Sequence, residues 1–423
     1  MLLAGGRAAW GNGAFPDSVG ILVPPDRPDE ITISTNFGLI TSEDGGKLWT
    51  WTCEQEIASL ASLYQLGPAP RDRLYTLSEH GLIRSDDLSC TWAAAGGMDA
   101  VALLTDFFPD PIDPTRLLVV GLPNSTQITG KRVYQSMDGG QSIGRSLYEA
   151  PVLDDVTGVE NARVDPRVIY VASYDASGPH PKLVKSTDGG DSWAAPLDLE
   201  PFIGPNTFRI IAVDPADAQR IFLLVMQRQS QALAISTDGG ATFTTPVQFV
   251  NGALTAFARL ASGTILVAGL EGDADGNTTG VGFRSSDGGK TFVPWVVPRL
   301  RALAERDGKL YGAADNAGDG FALGVSTDEG MTFRPVMKYS DVSGVRPCAL
   351  DECVASCRMI ANLGVWPDTV CDAVAPQPTA PPPASPQSHS GGGCTLAGAR
   401  TATSVWLLGL LAALTIRPRA RRN

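Results

Sequence analysis

Seven aspartates recur along the chain in one short pattern, Ser-x-Asp-x-Gly-x-Ser/Thr-aromatic. They are Asp44, Asp87, Asp138, Asp188, Asp238, Asp287 and Asp328. A carboxylate could act as a general acid or base, ligate a cation, or bond the backbone of its own turn. The flanking Ser and Gly favour the third role, because Ser and Asp cap turn N–H groups and Gly tolerates a positive φ. We therefore interpret the seven aspartates as structural.

Histidine chemistry is nearly excluded by composition. The chain has three His, and they are His80, His180 and His389. The last of them lies in a Pro-rich segment, so a multi-histidine metal site and a histidine-driven catalytic triad are not expected. We assign no catalytic residue and no cofactor from the sequence.

One loop carries alternating oxygen ligands. Asp273, Asp275 and Asn277 follow each other at every second position, as ligands do in calcium loops. The EF-hand pattern requires Gly at its sixth position and Glu at its twelfth, where this chain has Thr278 and Arg284. We therefore expect a polar hairpin loop and keep the three residues as the calcium candidate.

Six of the seven cysteines are expected to form disulfides. They are Cys53, Cys90, Cys348, Cys353, Cys357 and Cys371. An even set in an exported chain predicts a disulfide framework. We expect Cys53 to pair with Cys90, since they lie at consecutive repeats, which leaves three possible pairings for the other four. A zinc site of four thiolates is the alternative for that cluster, although its spacings lack paired C-x-x-C sequences.

The repeat predicts the elements around it. Each copy lies between two short apolar runs, and its Asp-Gly sequence is typical of a hairpin turn. Two more strand-like runs precede it, as Arg209–Val213 and Ile221–Val225 precede Ser236. The closing aromatic, for example Trp193 or Phe243, is expected to pack inward. Successive copies begin 41 to 51 residues apart, and four antiparallel strands per period are typical of a β-propeller blade.

The pattern resembles the Asp-box, or BNR repeat, of sialidase-like and sortilin-like propellers, and it is similar to the repeat of photosystem-assembly-factor propellers. The resemblance covers about residues 15–340, with Leu48, Ser89 and Ile143 departing from the motif. It implies a seven-bladed propeller in which these turns are structural and lie away from the usual ligand face. Six or eight blades stay open, because a degenerate blade could lack the motif.

The resemblance also implies an enzyme hypothesis, glycan hydrolysis of sialidase type. Those enzymes use an arginine cluster for the substrate carboxylate, a Tyr-Glu nucleophile pair and an acid/base Asp. No Arg-Ile-Pro string precedes the first repeat, and the nearest match is Phe208-Arg209-Ile-Ile211. Tyr339 lies near the last repeat without an evident Glu partner. The similar Asp-box glucanases work in a cleft between two propellers, whereas this chain has repeats for one.

Charge limits the classes of partner. The chain has 45 acidic and 33 basic residues, a net charge of −12. No basic stripe is present to neutralise phosphates, which argues against a nucleic-acid partner. We expect a monomer that binds a protein or a glycan through its propeller loops.

The two ends indicate export. Residues 1–11 end in Ala9-Trp10-Gly11, a small-x-small cleavage pattern, and we interpret them as the remnant of a truncated signal peptide. A Gly-rich segment, Cys394, the apolar run 405–416 and four arginines resemble the myxobacterial C-terminal sorting tail. That resemblance implies processing or lipidation near Cys394 and display on the cell surface. A single membrane-spanning anchor is the alternative.

The sequence thus predicts an all-β fold: a seven-bladed β-propeller of four-stranded antiparallel blades, with a small disulfide-tied cap and a C-terminal apolar helix. The segments are 1–11 (signal remnant), 12–340 (propeller), 341–373 (Cys-rich cap, with a helix over 351–363), 374–393 (Pro/Gly/Ser-rich linker) and 394–423 (sorting or membrane-anchor tail). Our main functional hypothesis is a non-catalytic binding module at the cell surface. A sialidase-type hydrolase and a structural envelope protein are the alternatives.

Overall fold

In a computed structural model, the chain folds as a seven-bladed β-propeller of four-stranded antiparallel blades. The structure describes residues 16–372, apart from 58, 70–72, 79–80, 98–100, 127, 176, 179 and 274–276. The predicted fold class is confirmed for this part of the chain. The segments predicted to be a signal remnant, a linker, a sorting tail with Cys394 and a C-terminal apolar helix lie outside the described residues.

Each blade is formed by four consecutive strands of the chain. Blades 1 to 3 are β1 (Ser18–Leu22), β2 (Ile31–Thr35), β3 (Gly38–Ser42), β4 (Trp49–Cys53); β5 (Ser59–Leu66), β6 (Leu74–Ser78), β7 (Gly81–Ser85), β8 (Ala93–Ala94); and β9 (Val101–Pro109), β10 (Leu117–Pro123), β11 (Arg132–Ser136), β12 (Ser146–Glu149). Blades 4 and 5 are β13 (Asp154–Asn161), β14 (Ile169–Asp175), β15 (His180–Ser186), β16 (Leu197–Asp198); and β17 (Thr207–Val213), β18 (Ile221–Met226), β19 (Gln231–Ser236), β20 (Thr244–Phe249).

Blades 6 and 7 complete the ring, and a short segment follows them. The blades are β21 (Gly252–Arg259), β22 (Ile265–Gly272), β23 (Thr278–Ser285), β24 (Val293–Trp295); and β25 (Leu300–Arg306), β26 (Lys309–Ala314), β27 (Leu323–Ser326), β28 (Arg334–Met337). The remaining elements are α1 (Glu54–Ile57), α2 (Glu200–Ile203), β29 (Val342–Val345), α3 (Leu350–Asn362) and α4 (Thr369–Asp372). Two single 3₁₀ turns, Tyr339–Asp341 and Pro347–Ala349, flank β29.

The core lies between neighbouring blades. The second strands are apolar on both faces, because each face packs against another blade; all of Leu117–Val120 in β10 is fully buried. The first strands of most successive blades contact one another around the centre, and β25 contacts β1. The first strands therefore form the wall of the central channel.

Every first strand contains a shift of register, which leaves at least one residue out of the ladder. In three blades this extra residue bonds the next blade. The Thr157 hydroxyl donates to the Phe208 carbonyl at 2.9 Å, and the Thr255 hydroxyl donates to the Leu300 carbonyl at 2.5 Å. Arg301 donates to Asp17 at 2.7 Å, and this bond joins blade 7 to blade 1.

The seam between blades 7 and 1 has further links. The Arg306 guanidinium, which is buried, donates to four backbone carbonyls of the loop 24–30. Tyr339 and Ser18 share a hydroxyl hydrogen bond of 2.8 Å. The strand β29 then runs parallel to β4, so that the end of the propeller chain forms the outer edge of blade 1.

The disulfide pairing differs from the expected one. Cys53 bonds Cys353 rather than Cys90, and Cys90 bonds Cys348. The third bridge is Cys357–Cys371. The expected Cys53–Cys90 pairing is wrong because β29 brings the chain back to the outer edge of blade 1, which places the later cysteines beside the earlier ones. Two bridges therefore tie the cap to the first two blades.

The cap helix lies where the sequence predicts it, within one residue at each end. Cys353, Cys357 and Ile360 are its buried residues. They belong to one hydrophobic cluster with Trp51 and with Trp366, whose rings are 5.2 Å apart. Within 16–372, no described helix is long and apolar enough to cross a membrane.

We predict that the two bridges to the cap stabilise the protein more than the local one. Their loops span 300 and 258 residues, against 14 for Cys357–Cys371. Replacing all four cysteines of the long bridges by Ala should lower the free energy of unfolding by more than 5 kcal/mol, and removing the short bridge by about 3 kcal/mol, on the chain-entropy model. Urea unfolding of the oxidised variants measures both. An equal loss of unfolding free energy in the two variants would contradict the prediction that the long bridges stabilise the protein more than the short one.

Candidate functional site

Each of the seven repeat turns runs from the motif Ser to the last residue of the motif. Each is held by hydrogen bonds between its own residues. In every copy the Ser hydroxyl donates to the Asp carboxylate at 2.6–2.9 Å. The same Ser oxygen accepts the N–H four residues later. The Asp accepts the N–H four residues after itself in all seven copies. These carboxylates are thus occupied by their own turns.

The departures from the motif keep this geometry. In the second turn, Ser89 stands where the motif has Gly and adopts a φ of 73°, while its N–H still bonds Ser85 at 2.9 Å. In the first turn, Leu48 lacks the hydroxyl that donates to the second carboxylate oxygen in the other six copies. The closing Trp193 donates through its indole N–H to the Leu147 carbonyl of the preceding blade at 2.8 Å.

The turn bonds favour the ionised carboxylate. The hydroxyl and N–H of Ser192, followed by the hydroxyl of Ser186, lower the pKa of Asp188 to about 2. The corresponding groups of Ser326 and Thr332 lower the pKa of Asp328 to about 2. These aspartates are therefore charged at any physiological pH and are poor proton donors.

Two arginines that lie together in the structure are already paired with carboxylates. Arg299 and Arg301 lie together at the seam, where Asp315 is 3.5 Å from the first and 4.0 Å from the second. Asp319 and Asp17 complete their shells. The cluster contains more carboxylates than guanidinium groups, so it does not form a site for an anion.

Tyr339 belongs to the same seam. Its ring is buried, its hydroxyl bonds Ser18, and its backbone N–H donates to the Asn316 side chain at 3.0 Å. Burial raises the pKa of Tyr339. A buried phenol with a satisfied hydroxyl is placed for structure and not as a nucleophile. Arg209, the other residue of the sialidase hypothesis, is exposed on β17.

The calcium candidate is described in part. Asp273 accepts from the Asn277 N–H at 2.8 Å and from its side-chain amide at 3.1 Å, which is the geometry of a closed polar turn. Asp275 lies outside the described residues. Among the residues that are described, no group of three or more His, Cys, Asp or Glu side chains could hold a metal ion. His180 pairs with Glu200 at 2.8 Å on the surface.

Two features of the site escaped the sequence reasoning. Asp106 and Glu160 are carboxyls on the channel strands β9 and β13. For Asp106 the signal in the sequence is a charged residue inside a largely apolar strand, whereas Glu160 lies in a mixed strand and has no such signal. The second feature is a group of exposed aliphatic side chains at one end of blade 3, which we call the blade 3 patch: Leu103, Ile128, Val152 and Leu153. Their spacing follows no local period, so no pattern predicts them.

Known proteins are similar to this chain in fold. No protein-family model matches the chain, and no curated protein matches it in sequence. The extracellular domain of a putative one component system from B. thetaiotaomicron matches with a TM-score of 0.50 and 12% identity, over 77% of this chain and 42% of that one. At this identity the likeness bears on the propeller fold alone.

Two more solved structures have lower TM-scores. A GH74 xyloglucanase from Xanthomonas campestris matches with a TM-score of 0.37 and 14% identity, over 74% of this chain and 57% of that one. A structure of YCF48 bound to D1 peptide matches with a TM-score of 0.37 and 16% identity, over 58% of this chain and 69% of that one. The match therefore spans little more than half the length of the xyloglucanase.

We predict that the carboxylate of a repeat turn stabilises the propeller only while it is charged. Asp188→Ala should lower the melting temperature by several degrees at pH 7, because three turn hydrogen bonds of the carboxylate are lost. Asp191→Ala is the matched control, since this exposed residue of the same turn makes only a surface ion pair with Arg145. The pKa of Asp188 is lowered, so its contribution exists above pH 4 and disappears as the pH falls through 2.

Thermal unfolding at pH 7, 4 and 2 measures this. The gap between the wild type and Asp188→Ala should narrow at the lowest pH. A gap that stays constant down to pH 2 would mean that the neutral acid holds the turn equally well.

Proposed function

We propose that this protein is a non-catalytic recognition module that binds a protein partner through the blade 3 patch. The observation that carries the proposal is the exposure of its four aliphatic side chains: 54% for Leu103, 87% for Ile128, 54% for Val152 and 60% for Leu153. Apolar groups held in contact with water at one place are typical of interaction sites.

The four side chains lie at the same end of one blade. Leu103 pairs in register with Leu122, just before the loop that carries Ile128. That loop packs on the connection leading to Val152, since a Cβ on Gly130 would lie 1.8 Å from the Ala150 carbonyl oxygen. The strand β11 starts here and ends at a repeat turn. The patch is therefore at the end of the blade opposite the repeat turns.

The chemistry of the patch favours a protein over a glycan. Aliphatic side chains give an apolar partner surface something to cover, whereas they offer a sugar neither a flat ring for stacking nor hydrogen-bonding groups. The ion pair Arg132–Glu149, at 2.8 Å, lies on the neighbouring strands β11 and β12 and is part-exposed. An apolar centre with charged groups at its edge is the usual anatomy of a protein interface.

The cysteines support export. The six described cysteines form three disulfides, and disulfides persist in oxidising compartments. We propose that the module works outside the cytoplasm. Display at the cell surface through residues 394–423 is the part of the proposal that depends on segments outside the described chain.

A glycan hydrolase is the second candidate, and one observation favours it. Glycosidases work with two carboxyls, and Asp106 and Glu160 lie on neighbouring channel strands. One oxygen of each already accepts a backbone N–H of the next blade at 3.0 Å, which is why we rank this function second. Hydrolysis of xyloglucan or of a fluorogenic sialoside that is abolished by Asp106→Asn would reverse the ranking.

We predict that charge in the patch abolishes partner binding. The test variant is Ile128→Asp with Leu153→Asp. The matched control is Ile112→Asp with Val164→Asp, two aliphatic residues that are 52% and 54% exposed in loops beside the repeat turns. We expect at least a tenfold weaker affinity for the first variant, because a buried carboxylate without a partner opposes association, and an unchanged affinity for the control.

The measurement has two steps. Immobilised wild type and both variants are exposed to an envelope extract of the source organism, and proteins that the patch variant alone fails to retain are identified. The dissociation constant of one such purified protein is then measured for all three forms. Proteins retained equally by all three, or lost equally by both variants, would contradict the proposed site.

A further inference from the structure

The channel wall contains two carboxyls that link three blades. The Asp106 carboxyl on β9 accepts the Val159 N–H of β13 at 3.0 Å. The Glu160 carboxyl, next to Val159 on β13, accepts the Val213 N–H of β17 at 3.0 Å. Each acid therefore bonds the backbone of the following blade, and together they join the first strands of blades 3, 4 and 5.

The charged groups around the pair are few and mostly engaged. Lys131, which immediately precedes β11, bonds Asp155 and the Val156 carbonyl. From β17, Arg209 acts on Asp106 from an exposed position. From β9, the group that acts on Glu160 is Asp106 itself, a like charge. The pair thus contains two acids that can ionise, and the nearby cations favour the ionised form of Asp106 only.

This environment gives the two acids different pKa values. Burial raises the pKa of Asp106 to about 6, although the N–H groups of Val159 and Phe107 and the charges of Arg209 and Lys131 oppose the rise. Burial, and then the charge of Asp106, raise the pKa of Glu160 to about 8. Near neutral pH the pair therefore carries one negative charge and keeps one proton.

We propose that Asp106 and Glu160 form a proton-dependent latch, and that loss of the second proton loosens the contact between the first strands of blades 3, 4 and 5. With one proton bound, each acid holds its N–H and the pair has a single charge. With none, two like charges lie on the neighbouring strands β9 and β13, and separation of β13 from its neighbours relieves their repulsion. This inference is independent of the proposed partner.

The sign of the pH dependence follows from linkage. A raised pKa means that the folded protein binds more protons than the unfolded chain between about pH 4.5 and 8. The stabilising proton is fully bound at the lower limit and is lost as the pH rises through 8. The channel wall should therefore be tighter at pH 5.5 than at pH 8.5.

Hydrogen exchange followed by mass spectrometry tests the latch. The peptides that contain Val159 and Val213 are compared at pH 5.5, 7.0 and 8.5, with rates corrected for the intrinsic effect of pH. In the wild type we expect their protection to fall at least tenfold between the extremes. Glu160→Gln keeps an oxygen for the Val213 N–H and cannot ionise, so its protection should stay within about twofold.

Two further variants make the result decisive. Glu305→Gln is the matched control, because Glu305 makes the same kind of bond, to the Ala261 N–H between blades 6 and 7, at 2.7 Å. It should keep the wild-type pH dependence. Asp106→Asn removes the like charge that raises the pKa of Glu160, so the loss of protection should be smaller than in the wild type and its midpoint should move to lower pH.

The outcomes separate cleanly. Equal pH dependence in the wild type and Glu160→Gln would overturn the latch, as would loss of the dependence in Glu305→Gln. If Glu160→Gln does not fold, the shift in Asp106→Asn decides the question: a midpoint displaced to lower pH supports the latch, and an unmoved midpoint overturns it.

Discussion

Ring closure is the constraint on which the rest of the structure depends. The four antiparallel strands of every blade are consecutive in the chain, and β29 joins blade 1 only as a fifth strand at its outer edge. The first and last blades must therefore be joined by side chains and by the segment that follows the propeller. Arg301 bonds Asp17 in the channel wall, Arg306 holds the loop 24–30, and β29 with its two disulfides ties the end of the chain to blades 1 and 2.

The two ends of the propeller have different tasks. At one end the repeat turns satisfy their own polar groups, so their composition is constrained and their carboxylates are occupied. At the other end the loops vary in length and composition, and the blade 3 patch lies there. A rigid scaffold with self-contained turns at one end leaves the other end free to vary for recognition.

Through the acid pair, the contact between blades in the channel wall also depends on pH. Buried carboxyls oppose folding when they are charged, and they are tolerated when hydrogen bonds or a proton compensate them. Asp106 and Glu160 have both compensations, since each accepts an N–H from a first strand, which is the inner edge strand of its blade. The link between adjacent blades at this point is thus sensitive to the proton concentration, whereas the repeat turns are not between pH 4 and 8.

The sequence by itself determined what is local. The seven turns, the four strands of each period and the helix 350–362 depend on residues that are neighbours in the chain. The turn at Ser186, Asp188 and Gly190, for example, is predicted by these three residues alone. The tertiary structure decided what depends on distant partners. Cys53 meets Cys353 only because β29 lies on the edge of blade 1, and the loop that carries Ile128 packs on the connection leading to Val152 only in the folded blade. Hydrogen bonds within a turn act over four residues, whereas disulfide pairing, shared burial and repulsion between carboxyls depend on distances that only the closed ring sets.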